Sequence, residues 1–121
     1  MDCNQDAYIV ADLNGVPHEA LVDTGATISC CSLKTYLNLK KQNMTLNPLL
    51  KTNIILRGAT GGKVPCYGTT KMTILLGGKN IEHEFVVVQI APPLIVGRDI
   101  LSRNFGKITF EFERGRLHIG D

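Results

Sequence analysis

Leu21-Val22-Asp23-Thr24-Gly25-Ala26-Thr27 is the stretch on which the fold turns. An apolar run rich in strand formers delivers one aspartate into a turn, with glycine two residues later. Asp-Thr-Gly alone says little, because Asp with Gly is common turn chemistry. The flanks say more. Leu21-Val22 precedes the turn and Ala26-Thr27-Ile28 follows it, and a surface turn seldom has such neighbours. The carboxylate of Asp23 is therefore expected at the floor of an apolar cleft, as a candidate catalytic group.

Upstream, residues 8–13 read as a strand, Asn14-Gly15 as a two-residue hairpin turn, and residues 16–22 as the returning strand, with Pro17 near its start. Downstream, residues 27–31 read as a short buried strand. Ser32 is placed to cap a helical turn over 32–37. Residues 38–51, broken by Asn47-Pro48, read as a surface connection.

A hairpin is expected at about 52–67, with the small-residue tip Gly58-Ala59-Thr60-Gly61-Gly62. Such a tip lets backbone approach a ligand closely and can close over an extended peptide. Residues 69–76 and 79–89 form a further hairpin about Gly77-Gly78. In it Ile81, His83, Phe85 and Val87 share one face, and Glu82, Glu84 and Val86 the other. Pro92-Pro93 punctuates before the short buried strand Leu94-Ile95-Val96. A helix over 98–105 stops at Gly106, and a last hairpin spans 107–120 with Ile108, Phe110, Phe112, Leu117 and Ile119 as its apolar positions. About nine short strands and one helix make a mainly antiparallel β-sandwich or barrel.

The 121 residues fit one domain, 44% apolar and 20% charged, with a net charge of +2. That charge is too weak and scattered for nucleic acid, and Lys40-Lys41 suits a solvated helix end or loop. Aromatics at 6% with no Trp argue against a base-stacking barrel. No stretch reaches the roughly 18 apolar residues of a membrane span, and no leader opens the chain. A soluble, intracellular, non-secreted protein is the expectation. Cys3, Cys30, Cys31 and Cys66 include no CxxC pair, and His18, His83 and His118 are far apart. No metal site and no cofactor is expected, the thiols are expected reduced, and Cys30-Cys31 are expected as small buried hydrophobes.

Three pieces in order, Ala20-Leu21-Val22-Asp23-Thr24-Gly25-Ala26, Gly58-Ala59-Thr60-Gly61-Gly62 and Ile95-Val96-Gly97-Arg98-Asp99-Ile100-Leu101, resemble the retroviral-type aspartic proteases, or retropepsins. The likeness runs from about residue 8 to residue 105. It implies a closed, mostly β fold, an obligate homodimer, and cleavage of polyproteins, including the chain's own precursor, in the cytoplasm or in an assembling virus-like particle. On this resemblance Asp23 is the catalytic carboxylate, and Thr24 hydrogen-bonds across the dimer beneath the aspartates. Gly25 admits substrate backbone. Leu21, Ala26, Thr27, Ile28 and Cys30 are floor and subsite residues. Arg57, Gly58, Ala59 and Thr60 are the flap face, Pro92, Pro93 and Ile95 the opposite wall, and Arg98 a structural residue that helps to hold the dimer.

The dimer also has a reason in chemistry. Amide hydrolysis by carboxylates needs one base and one acid. Two carboxylates about 3 Å apart share a proton and divide those roles, with best activity expected at mildly acidic pH. This chain has one such motif, so a twofold axis must supply the second. Two departures stand out. Thr27 replaces an acid that in many members pairs with an arginine like Arg98, leaving Asp99 and Asp6 as alternative partners. The tail after the helix is long enough for a full hairpin, so the dimer sheet is expected mainly from C-terminal hairpins, as in retrotransposon-type or cellular retropepsin-like members. The rival function is such a cellular domain, kept mainly for dimerisation or interaction with narrow proteolysis.

Overall fold

Asn14 and Gly15 both take positive φ, 49° and 83°, and so join strands β1 (Ala7–Leu13) and β2 (Val16–Val22) in a tight antiparallel hairpin. The computed structural model describes residues 7–42, 46–58, 61–111, 113–114 and 116–120. Its further elements are β3 (Cys30–Ser32), α1 (Leu33–Lys41), β4 (Leu56–Arg57), β5 (Lys63–Val64), β6 (Cys66–Leu76), β7 (Lys79–Val88), β8 (Leu94–Val96), α2 (Arg98–Asn104), β9 (Lys107–Glu111) and β10 (Arg116–Gly120).

Six strands close a barrel in the order β1-β2-β8-β3-β7-β6. Most pairs are antiparallel, but β2–β8 and β3–β7 run parallel. Parallel neighbours need a long crossover, so these pairings join segments distant in sequence. Ala20, Leu21 and Val22 lie beside Leu94, Ile95 and Val96. Ala20, Leu21, Val22, Leu94 and Val96 are all buried there, which explains why these two short segments read as apolar runs.

Strand β7 shows the alternation expected of it, and its end does more. Ile81, Phe85 and Val87 enter the main core with Leu13, Ile74, Leu94, Val96 and Ile100. Val86 and Val88 face the other way and join Cys30 in a second apolar cluster, with Ile28, Leu56, Val64, Ile90 and Ile95 packed against it. Most of this second cluster lines the cleft beside Asp23.

Three expectations change. The short turn at 32–37 is a full helix, α1, capped by the Ser32 hydroxyl, which accepts from the Thr35 amide at 3.0 Å. Leu39 continues the buried stripe begun by Thr35 and Tyr36, so packing carries the helix past Asn38. The strand expected over 52–57 shrinks to β4, because the Ile54 amide donates to Thr52 Oγ1 at 3.1 Å instead of to a ladder. The strand expected over 27–31 begins only at Cys30. The helix expected over 98–105 is present as α2, with Phe105 as its C-cap. The last hairpin pairs Ile108 with Ile119 and Phe110 with Leu117. Phe112 lies outside the described residues.

Candidate active site

Strand β2 carries Asp23 to its place. The Asp23 amide donates to the Val96 carbonyl at 3.0 Å, which extends the β2–β8 ladder by one residue. The chain then turns. The Gly25 amide donates to Asp23 Oδ1 at 2.9 Å, and the Ala26 amide to the Asp23 carbonyl at 3.1 Å. Together these bonds fix the carboxylate's orientation, with Oδ1 as the oxygen that accepts.

Beneath the turn runs a second loop that begins at Gly97. A Cβ on Gly97 would lie 2.8 Å from the Ala26 carbonyl oxygen and 3.1 Å from Ile28 backbone atoms, so only glycine fits. The contact lets the Arg98 amide reach the Ala26 carbonyl at 2.8 Å and the Gly97 amide reach Ser29 Oγ at 2.9 Å. Ser29 Oγ donates to Asp99 Oδ1 at 2.6 Å, and the Ser29 amide to Asp99 Oδ2 at 3.0 Å. His83 Nε2 meets the same Oδ2 at 2.8 Å. Burial pushes the Asp99 carboxyl up, but the bonds from Ser29 and His83 outweigh it and hold the group below the usual carboxylate range.

Asp23 opens into a cleft of about 570 Å³. Gly25, Ala26, Thr27, Ile28 and Cys30 form its floor, Leu56, Arg57, Gly58 and Val64 come from the β4–β5 hairpin, and Val88, Ile90 and Ile95 form the far wall. The Cys30 thiol is pushed up to about 11, chiefly by burial, and the Cys31 thiol to about 12 for the same reason. Neither is a thiolate at neutral pH, so both behave as small apolar side chains.

Most site residues expected from the sequence converge here, and several do not. Leu21 is buried within β2 beside Ile95, behind the cleft wall. Pro92 and Pro93 do not line the cleft; the Pro93 carbonyl accepts from the Ser32 amide at 3.0 Å and so braces the entry to α1. Ala59 and Thr60 lie outside the described residues. Thr24 faces away from the cleft, into a shallow concavity with Arg98, Phe105 and Ile108. Arg98 Nη2 donates to Thr27 Oγ1 at 3.1 Å, so its partner is the threonine itself and not Asp99, while Asp6 lies outside the described residues. Leu56, Val64, Val88 and Ile90 were missed. The alternation of β7 singles out Val88, and the hairpin register pairs Leu56 with Val64.

Relatives agree with this architecture. The profile of the family described as retroviral aspartyl protease matches residues 4–109. The Gag-Pol polyprotein of Koala retrovirus is 30% identical over 87% of this chain, and that of Gibbon ape leukemia virus 29% identical over 93%. The chain spans only 6% of the length of each of those polyproteins. The EIAV protease complexed with the inhibitor HBY-793 superposes with a TM-score of 0.69 at 28% identity, covering 85% of this chain and 91% of that one. The retroviral protease-like domain of Ddi1 from Leishmania major shares the fold with a TM-score of 0.64 at 24% identity, over 95% of this chain and 90% of that one. With a family match that spans most of its length and a shared fold, the chain belongs to the retroviral aspartyl protease family.

Proposed function

We propose that the whole chain is a single protease domain, that two copies pair about a twofold axis, and that Asp23 of each copy forms the catalytic pair. The observation that carries this is Asp23 itself: one carboxylate, oriented by the Gly25 amide, in an otherwise largely apolar cleft beneath a hairpin. A lone carboxylate cannot serve as base and acid in one step. With one proton shared by the pair, the ionised Asp23 takes a proton from water, and the water oxygen bonds to the scissile carbonyl carbon. The protonated Asp23 of the partner subunit gives its proton to the carbonyl oxygen. When the tetrahedral diol collapses, the now protonated Asp23 gives its proton to the amide nitrogen, a diol hydroxyl gives its proton to the partner subunit's Asp23, the C–N bond breaks, and the dyad again holds one proton.

The β4–β5 hairpin, within a flap spanning about 52–67, closes over an extended peptide. Ile28, Cys30, Val88 and Ile95 accept apolar side chains next to the cut. Thr24 and Arg98 lie beside the twofold axis, and Ile108, Phe110, Leu117 and Ile119 of the last hairpin build the dimer sheet. The substrate is a Gag-Pol-like polyprotein that includes this chain's own precursor, processed in an assembling particle.

The test is mass-spectrometric mapping of products from such a precursor, with Asp23→Asn as control. Asp23→Asn is expected to abolish cleavage and to leave the dimer intact by analytical ultracentrifugation. Cleavage by Asp23→Asn would overturn the assignment.

A further inference from the structure

Among the described residues that line the cleft, two carry charged side chains, Asp23 and Arg57. Asp23 is committed to the reaction. Arg57 sits on β4, at the edge of the hairpin that covers the cleft. Its Nη1 donates to the Gly61 carbonyl at 3.1 Å across the hairpin. That bond steadies the guanidinium, because one donor is tied to backbone and the planar fork loses less freedom when the rest engage. Among the described residues, Nε and Nη2 have no acceptor and so can donate to a ligand. Among the described residues no carboxylate pairs with Arg57, although ion pairs form elsewhere, as between Lys71 and Glu82 at 3.5 Å.

We propose that Arg57 is a specificity residue that selects an acidic side chain, Glu or Asp, in the peptide substrate, at a position flanking the apolar residues at the cut. This rests on the proteolytic reading of the cleft and extends it. An extended peptide alternates its side chains, so an apolar residue can contact Ile28, Val88 and Ile95 while a neighbour points toward the hairpin edge. A carboxylate there meets a pre-positioned guanidinium in a two-pronged hydrogen-bonded pair. A lysine there meets like charge, in a cleft that closing of the hairpin partly shields from solvent. By twofold symmetry the preference holds on both sides of the cut.

The experiment is a scan of one apolar peptide in which Glu, Gln or Lys is placed in turn at each position flanking the cut. At the responsive position, kcat/KM for Glu is expected to exceed that for Gln by about fivefold, the scale of a partly exposed ion pair. Lys is expected to fall below Gln, and the Glu-to-Gln ratio to shrink as sodium chloride is raised. In Arg57→Gln the ratio collapses toward one, and in Arg57→Glu the order inverts in favour of Lys. Equal kcat/KM for Glu and Gln at every position in the wild-type enzyme overturns the proposal, as does a preference that survives Arg57→Glu. Affinities of the same peptides for Asp23→Asn, by fluorescence anisotropy, give the ratio without turnover. Failure to cleave any neutral peptide would thus count against the proteolytic reading alone, while equal affinities would count against Arg57.

Discussion

Ser29 Oγ lies 2.6 Å from Asp99 Oδ1, across 70 residues of sequence, and also accepts the Gly97 amide at 2.9 Å. Ser29 gives its hydroxyl and amide protons to Asp99 and accepts the Gly97 amide. The aspartate loop is thereby held from beneath by side-chain bonds as well as by the backbone.

Ser29→Ala removes two of those bonds and leaves the buried Gly97 amide without its acceptor. A loss of about 1–3 kcal/mol in unfolding free energy is expected. Urea titration followed by circular dichroism measures it. Wild-type stability in Ser29→Ala would show that water replaces the hydroxyl fully.

Asp99 sets the acid limit of that clamp. Its folded carboxyl lies below the ordinary range, so its stabilisation is present above the unfolded carboxylate value and is lost as pH falls through the folded one. Stability should therefore hold across the mildly acidic range where a shared-proton dyad works, and drop below it. Thermal unfolding against pH checks this. Asp99→Asn should flatten the drop, and an unaltered profile would assign it to other carboxylates.

Gly97→Ala places a Cβ 2.8 Å from the Ala26 carbonyl oxygen. The obstacle is backbone, so the aspartate loop itself must move. Overpacking of this kind costs about 1–3 kcal/mol, and kcat/KM should fall along with Tm. Full activity with a lowered Tm would mean that the loop returns to its geometry when substrate binds.

Phe110 is half-buried on β9, and its cross-strand partner is Leu117. Phe110→Ser is expected to weaken dimerisation and to leave the barrel folded. Sedimentation velocity across a concentration series, set beside activity, reads this out. Activity should track the dimer fraction, and an active monomer would refute the paired-aspartate mechanism.

Cys30 and Cys31, with thiols near 11 and 12, should resist iodoacetamide at neutral pH in the native protein and react once it is denatured. Intact-mass measurement before and after unfolding counts the modified thiols.

The local elements were legible wherever chemistry was local. Asn14-Gly15 announces its hairpin, Ser32 its cap, and residues 79–88 their alternation. The apolar flanks of Asp23 mark it as no ordinary turn residue. The shorter β4 was not legible, because the Thr52 side-chain bond competes with the ladder locally. Leu21 looked like a cleft residue because an apolar run does not say which face meets solvent and which meets another strand.

What the sequence by itself determined is the Asp-Thr-Gly turn with its apolar flanks and the mainly β pattern, because each rests on residue type and short spacing. What only the tertiary structure decided is who pairs with whom. Asp99 turns to Ser29 and His83, and Arg98 to Thr27. Those choices depend on the parallel pairing of β2 with β8, which brings residues some seventy apart into hydrogen-bond range. No local preference encodes a crossover of that length; it is set by burial of both strands in one closed barrel.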